Sequence, residues 1–205
     1  FGFLSERFPD AKLTVHKINT LERTATFNDK IKLELNPFPG VMGVAPATDE
    51  MLSTIPPREN GGNMDDPNLT EGTTVYFPVF VKGALFSIGD AHAIQGLGEV
   101  CGTAIESPMT ITYKLRVIKN KPAIKEPQYE TDDYYAVTGF GETIDLATKK
   151  AVNYMIDHLT NNYDITAEDA YMLCSLVGDL HIAEVVDVPN MLVTMHFPKS
   201  IINQL

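Results

Sequence analysis

Hydrophobic spacing changes period once along this chain, and that change limits the folds open to it. From Lys12 to Ile118, apolar residues recur at alternate positions in short runs, the spacing of strands with one buried face. From Thr143 to Asn161 they recur as Ile144, Ala147, Ala151, Met155 and Leu159, the spacing of a helix with one apolar stripe, with Thr143 or Asp145 at its start. Thr166-Ala-Glu-Asp169 resembles a capping box with Asp in place of Glu. It predicts a second helix to about Val177, with Met172, Leu173, Leu176 and Val177 buried. Residues 181–188 and 191–197 are again strand-like, divided by Pro189 and Asn190. Many strands, two helices and two returning strands predict an α+β protein, mainly β, built on a sandwich or a barrel.

The expected strands before the helices are 12–18, 30–35, 73–81, 84–88, 99–106 and 110–118. The last alternates Ile111, Tyr113, Leu115 and Val117 against Thr110, Thr112, Lys114 and Arg116, and should keep one wet face. Thr20 to Asn28 reads as the connection of a first hairpin. Pro37, Pro39, Gly40, Gly43 and Pro46 read as a break in regular structure, and 53–72 as a long loop of the kind that carries function. The expected organisation is a β-sandwich portion with the site over 1–118. A helical segment with returning strands, 119–205, packs on the same domain.

Charge narrows the partners. The 205 residues carry a formal net charge of −11, which repels nucleic acid and anionic membrane surfaces, so neither is expected. No apolar run is long enough to cross a membrane as a helix. The two cysteines, Cys101 and Cys174, are expected as free thiols in a cytoplasmic setting. The opening FGFLSERF lacks a basic region and a cleavage site, so it is read as the start of a processed chain or of a piece of a longer one.

The densest concentration of chemistry is Gly89 to Glu106, GDAHAIQGLGEVCGTAIE. In an extended segment Asp90 and His92 point the same way and can reach one divalent ion, zinc or similar; the alternative is a turn Asp beside an ordinary His. On a strand over 99–106, Glu99, Cys101, Thr103 and Ile105 would share a face. Glu99 is then a third ligand, a general base or a solvated charge. Cys101 is a nucleophile or a small buried apolar residue, and Glu106, on the other face, is expected to be structural. The loop Asn60-Gly-Gly-Asn63-Met-Asp65-Asp66 offers hard oxygen donors suited to calcium, or forms a solvated turn. His16, His158, His181 and His196 have no evident partners and are expected to be structural.

At these residues the chain resembles the acetamidase/formamidase family. The likeness is carried by IPPRENGGNMDD (55–66), by PVFVKGALFSIGDAHAIQGLGEVCGTAIE (78–106) and by GVAPA (43–47), with weaker similarity from Phe1 to HFPKSII (196–202). It implies a jelly-roll-like β-sandwich with added helices and hydrolysis of short linear amides such as formamide and acetamide. A divalent metal, zinc foremost, is implied at the site. Asp90, His92, Glu99, Cys101, Asn63 and Asp65 match the family's pattern. Asp90, His92 and Glu99 are the expected metal and catalytic residues, and Asn63, Asp65, Cys101 and Thr103 the expected substrate contacts. Leu97 stands where the family usually has an aspartate, and the family extends N-terminally beyond Phe1. A homo-oligomer, or association with the absent N-terminal part, is expected. The other readings are an amidase with Cys101 as nucleophile and a catalytically silent binding module.

Overall fold

The computed structural model describes residues 2–205; the likeness noted at Phe1 falls outside them. Its centre is a strand buried on both faces. In β11, Met191–Pro198, residues 192–197 are all buried. Val193, Met195 and Phe197 face a helical layer, while Leu192 faces a second sheet. The sheet around β11 also contains β10 (Asp179–Glu184), β9 (Tyr134–Gly141), β8 (Gln128–Glu130) and β6 (Thr74–Tyr76), in the order β10-β11-β9-β8-β6. Each neighbouring pair is antiparallel.

One face of this sheet is covered by α1, Ile144–Asn162. Leu146 N donates to Thr143 Oγ1 at the N-cap, and Ala147, Ala151, Met155 and Leu159 form the buried stripe. Here the 3.6-residue spacing and the structure agree. Small residues let the helix approach closely: a methyl on Gly139 of β9 would overlap Ala147 O and lie 2.6 Å from Ala151 N. α2, Ala167–Val177, packs beside α1 and is capped by Thr166, which accepts from Asp169 N. A short α3, Lys199–Ile202, follows β11.

The opposite face meets a three-stranded sheet, β5-β4-β7, formed by β4 (Phe38–Gly43), β5 (Gly61–Asn63) and β7 (Ser87–His92). Met42 and Ile88 from it pack with Tyr129, Ala136, Phe140 and Leu192. The result is a mainly β sandwich with helices on its outer face. A further antiparallel meander, β1 (Lys17–Asn19), β2 (Thr24–Phe27) and β3 (Ile31–Glu34), precedes it.

Several expected elements differ. Only the end of 12–18 pairs, and Thr20–Asn28 holds β2 instead of a plain connection. The Pro37–Pro46 region holds β4, because Pro39 and Gly40 are accommodated where β5 and β7 supply the pairing. Residues 99–106 and 110–118 form no strand: the first is a turn whose end pairs, Ile105 with Ala93 and Ile94 and Glu106 with His92, and in the second alternation gives two faces but no partner strand, leaving Leu115 and Val117 exposed. The strand expected at 84–88 begins at Ser87 and runs on through His92. In α2 the deepest residues are Ala170 and Cys174, while Met172 and Leu176 face outward: small residues sit where α2 comes closest to its neighbours.

Candidate active site

The pairing of β4 with β7 builds the site. Pro39 and Val41 pair with Ala91 and Gly89, so Gly40 sits beneath Asp90 and His92. Side chains two apart on a strand share a face, and Asp90 Oδ2 lies 3.4 Å from His92 Nε2. After β7 the chain loops out and returns. Ala93 N donates to Ile105 O (2.8 Å) and Ser107 N to Ala91 O (2.9 Å). That return bridges Glu106 to His92 and sets Glu106 Oε2 3.2 Å from His92 Nε2. Ala104 N donates to Glu106 Oε1 (3.0 Å), which orients the carboxylate.

Asp65 arrives from the end of β5. Its N–H and that of Met64 both donate to Gly40 O (3.1 and 3.0 Å), with Asp65 in the left-handed region at φ 44°. Its Oδ1 lies 3.6 Å from His92 Nδ1 and is buried without a hydrogen-bond partner. Gln95 ties the two together. Its Nε2 donates to Asp65 O (2.6 Å) and its Oε1 stands 2.7 Å from His92 Nδ1. Phe38 packs edge-on against the imidazole at 5.1 Å.

Glu99 is brought in by a turn. Gly98 N donates to Ala183 O (2.8 Å) and Val185 N to Gly98 O (3.3 Å), fastening the turn to the end of β10. Glu99, at φ 44°, points inward and is 7% exposed. Behind it lies Glu184, fully buried. Its Oε1 accepts from Val186 N and Asp187 N, and its Oε2 has no partner. Asn63 Nδ2 donates to Asp187 Oδ2 (2.6 Å).

Four carboxylates, Asp65, Asp90, Glu99 and Glu106, thus gather around one imidazole, with Glu184 and Asp187 close behind them. Among the described residues no Lys or Arg pairs with any of them. Burial, reinforced by the charges of Asp187, Glu106, Glu184 and Asp90, pushes the Glu99 carboxyl up to about 8. Burial likewise raises Glu184 to about 7. Asp65 and Asp187 also shift upward, chiefly through burial. Carboxylates packed together without a counter-charge must bind protons or a cation.

The donors suit a divalent cation. Asp65, His92 and Glu99 offer ligand atoms within 4.8 Å of one another, as do Asp90, His92 and Glu106. The orphaned Asp65 Oδ1 is the kind of atom a cation would satisfy. Gly40 leaves the space that these side chains need: a methyl there would overlap the Asp65 carboxylate and stand 2.8 Å from His92 Cε1 and 3.1 Å from Asp90 Oδ2.

Of the residues expected from sequence, Asp90, His92, Glu99 and Asp65 come together, and Asn63 reaches the cluster through Asp187. Cys101 and Thr103 do not join them in these contacts. Without a strand over 99–106, Glu99 turns inward while Cys101 is exposed, its Sγ 3.5 Å from Thr103 O and 3.7 Å from Thr103 Oγ1. Glu106, expected to be structural, stands against His92. Asp66 turns away and accepts from Asn68 Nδ2 (2.7 Å) and from Tyr129 Oη (2.7 Å), which also contacts His196 Nε2 at 2.8 Å. Gln95, Glu184 and Asp187 were missed. For the two acids the signal was a pair of carboxylates inside the apolar run HIAEVVDV.

The fold and this cluster define a β-sandwich protein with a buried, cation-competent acid–histidine site. A sequence profile described as the Acetamidase/Formamidase family matches residues 47–204, and the chain belongs to that family. It is 28% identical over 269 aligned positions to the formamidase of Methylophilus methylotrophus, covering 98% of this chain and 66% of that protein. Two crystal structures superimpose with TM-scores of 0.80. One, a predicted acetamidase/formamidase from the thermophile Thermoanaerobacter tengcongensis, is 33% identical and covers 89% of this chain and 60% of that one. The other, an acetamidase from Yersinia enterocolitica, is 29% identical and covers 91% of this chain and 55% of that one. The chain therefore spans just over half to about two thirds of the length of these relatives.

Proposed function

We propose that this chain carries the catalytic site of an amidase acting on short linear amides, formamide and acetamide, and releasing a carboxylate and ammonia. The observation that supports this best is the buried acid cluster around His92 in a member of this family. Asp90 and His92, with Glu106, Asp65 and Glu99 beside them, would hold a divalent ion, zinc foremost and calcium second. When bound, such an ion supplies Lewis-acid polarisation of the amide carbonyl.

The chain's own groups handle the proton. Glu99 accepts a proton from the attacking water as the new C–O bond forms. It then delivers that proton to the amide nitrogen as the C–N bond breaks. Glu99 is suited to both directions because the turn fastened by Gly98 holds its carboxyl inward, beside the cluster and 7% exposed. Asn63, Asp65, Cys101 and Thr103 are the proposed substrate contacts. Asp65 Oδ1 lies 3.6 Å from His92 Nδ1. The reading extends to a cytoplasmic setting, which the two unlinked cysteines support. It also includes self-association or association with a further polypeptide segment, supported by the exposed Leu115 and Val117.

Ammonia release from formamide and acetamide, measured on the zinc-supplemented and chelator-treated chain, tests the proposal. Glu99→Gln is expected to lower kcat by about 10²- to 10⁴-fold, the usual contribution of a positioned acid–base group. Wild-type turnover by that variant would remove Glu99 from the proton path. A zinc-loaded wild-type chain that released no ammonia would point to a silent binding module.

A further inference from the structure

His92 belongs to two overlapping sets of candidate ligands, and its two ring nitrogens face different partners. Nδ1 looks toward Gln95 Oε1 (2.7 Å) and Asp65 Oδ1 (3.6 Å), whereas Nε2 looks toward Glu106 Oε2 (3.2 Å) and Asp90 Oδ2 (3.4 Å). Which nitrogen is free to bind a cation depends on which one carries the fixed proton.

Gln95 decides this. A backbone carbonyl only accepts hydrogen bonds, so the side-chain atom 2.6 Å from Asp65 O is the Gln95 amide nitrogen. The other end of the same amide, Oε1, is then turned toward His92, and it too only accepts. The ring nitrogen facing it must donate, which places a proton on Nδ1. Gln95 is itself 8% exposed, and Phe38 packs edge-on against the imidazole, so neither group has room to turn freely.

We infer that Gln95 is a positioning residue: it fixes the Nδ1–H form of His92, aims Nε2 at Asp90 and Glu106, and makes Asp90, His92 and Glu106 the cation-binding set. Asp65 is held on the far side of the ring by the same amide. Glu99 is then free to act on the proton and need not serve as a ligand. The outer hydrogen bond that orients a metal-binding histidine is a recurrent device, and its removal commonly weakens metal affinity by about 10- to 100-fold.

This inference rests on the reading of the cluster as a metal site, and the test separates the two. Nitrogen-15 spectra of the histidine-labelled 205-residue chain are recorded before and after addition of zinc chloride. Zinc binding is titrated in parallel for wild type, Gln95→Leu and Gln95→Glu. The expected result is a protonated His92 Nδ1 in both wild-type spectra, with the large zinc-induced shift confined to Nε2. Gln95→Leu should bind zinc about 10- to 100-fold more weakly and lose the single Nδ1–H form. Gln95→Glu, which keeps an acceptor toward Nδ1 but loses the donor to Asp65 O, should retain that form and so separates the two contacts of the amide.

A zinc-induced shift at Nδ1 overturns the inference, as does a Leu variant with unchanged affinity and unchanged ring protonation. The wild-type spectra decide the matter even if the Leu variant fails to fold. A wild-type chain that takes up no zinc defeats the metal reading; the protonated Nδ1 would still be seen beside Gln95.

Discussion

At Gly40 a single hydrogen in place of a side chain lets Asp65 and His92 lie directly against the backbone of β4. The same residue's carbonyl receives the N–H groups of Met64 and Asp65, so Gly40 both anchors the Asp65 turn and leaves its carboxylate room. Gly40→Ala is expected to displace both side chains and weaken zinc binding by about 10- to 100-fold, as when groups that orient ligands are lost. Gly89→Ala is the matched control: it sits on the facing strand with open space where its methyl would go. Equal zinc affinity of the two variants by isothermal titration would disprove the role given to Gly40. The meeting of Asp90 and His92 was legible from their spacing, although Asp90 takes a left-handed φ of 52° within β7 that no strand pattern foretells. Gln95 was not, because its importance lies in an amide bridging two segments 30 residues apart.

Elements were legible to the extent that their own residues determined them. α1 announced itself through its cap and its stripe of small and flexible apolar residues, both local properties. The segments 12–18 and 110–118 carried convincing alternation but have no partner along most of their length. The converse held for β4, hidden by Pro39 and Gly40 yet stabilised from both sides by β5 and β7. Strand identity depends on neighbours that arrive from elsewhere in the chain. The contact between α1 and β9 offers a test at this scale. Gly139→Ala should force the helix off the sheet and destabilise the protein by about 1–3 kcal/mol, the usual cost of overpacking a close-packed interior. Urea unfolding would show this as a lower midpoint with an unchanged slope, and an unshifted midpoint would contradict the packing described.

Across the whole molecule, the unbalanced acids make stability depend on pH. Glu184 and Glu99 hold protons more tightly when folded, at about 7 and about 8, than their ordinary value of 4.5. Their contribution is full below that ordinary value and is lost as pH rises through 7 and 8. Burial keeps His158 and His196 neutral, shifting them down to about 4 and about 3 from 6.5, so they act in the opposite sense and below pH 6.5. In the presence of a chelator, the melting temperature should therefore fall between pH 6.5 and 8.5. Zinc should flatten or reverse that slope; a chelated protein that gained stability over this range would refute the account.

The hydrogen bond from Asn63 to Asp187 has a consequence for the order of events in folding. It joins residues 124 positions apart, and the Gly98 turn is fastened to Ala183 and Val185, another closure between distant parts of the chain. Such distant closures come at a greater entropic cost than local ones and follow them in time. The repulsion that involves Glu184 and Asp187 is therefore absent while the helices and hairpins first form, although Asp90 and Glu106 already meet through a local return of the chain. That share enters at the closing step, so a newly made chain can assemble most of its architecture before it encounters the full conflict at its centre.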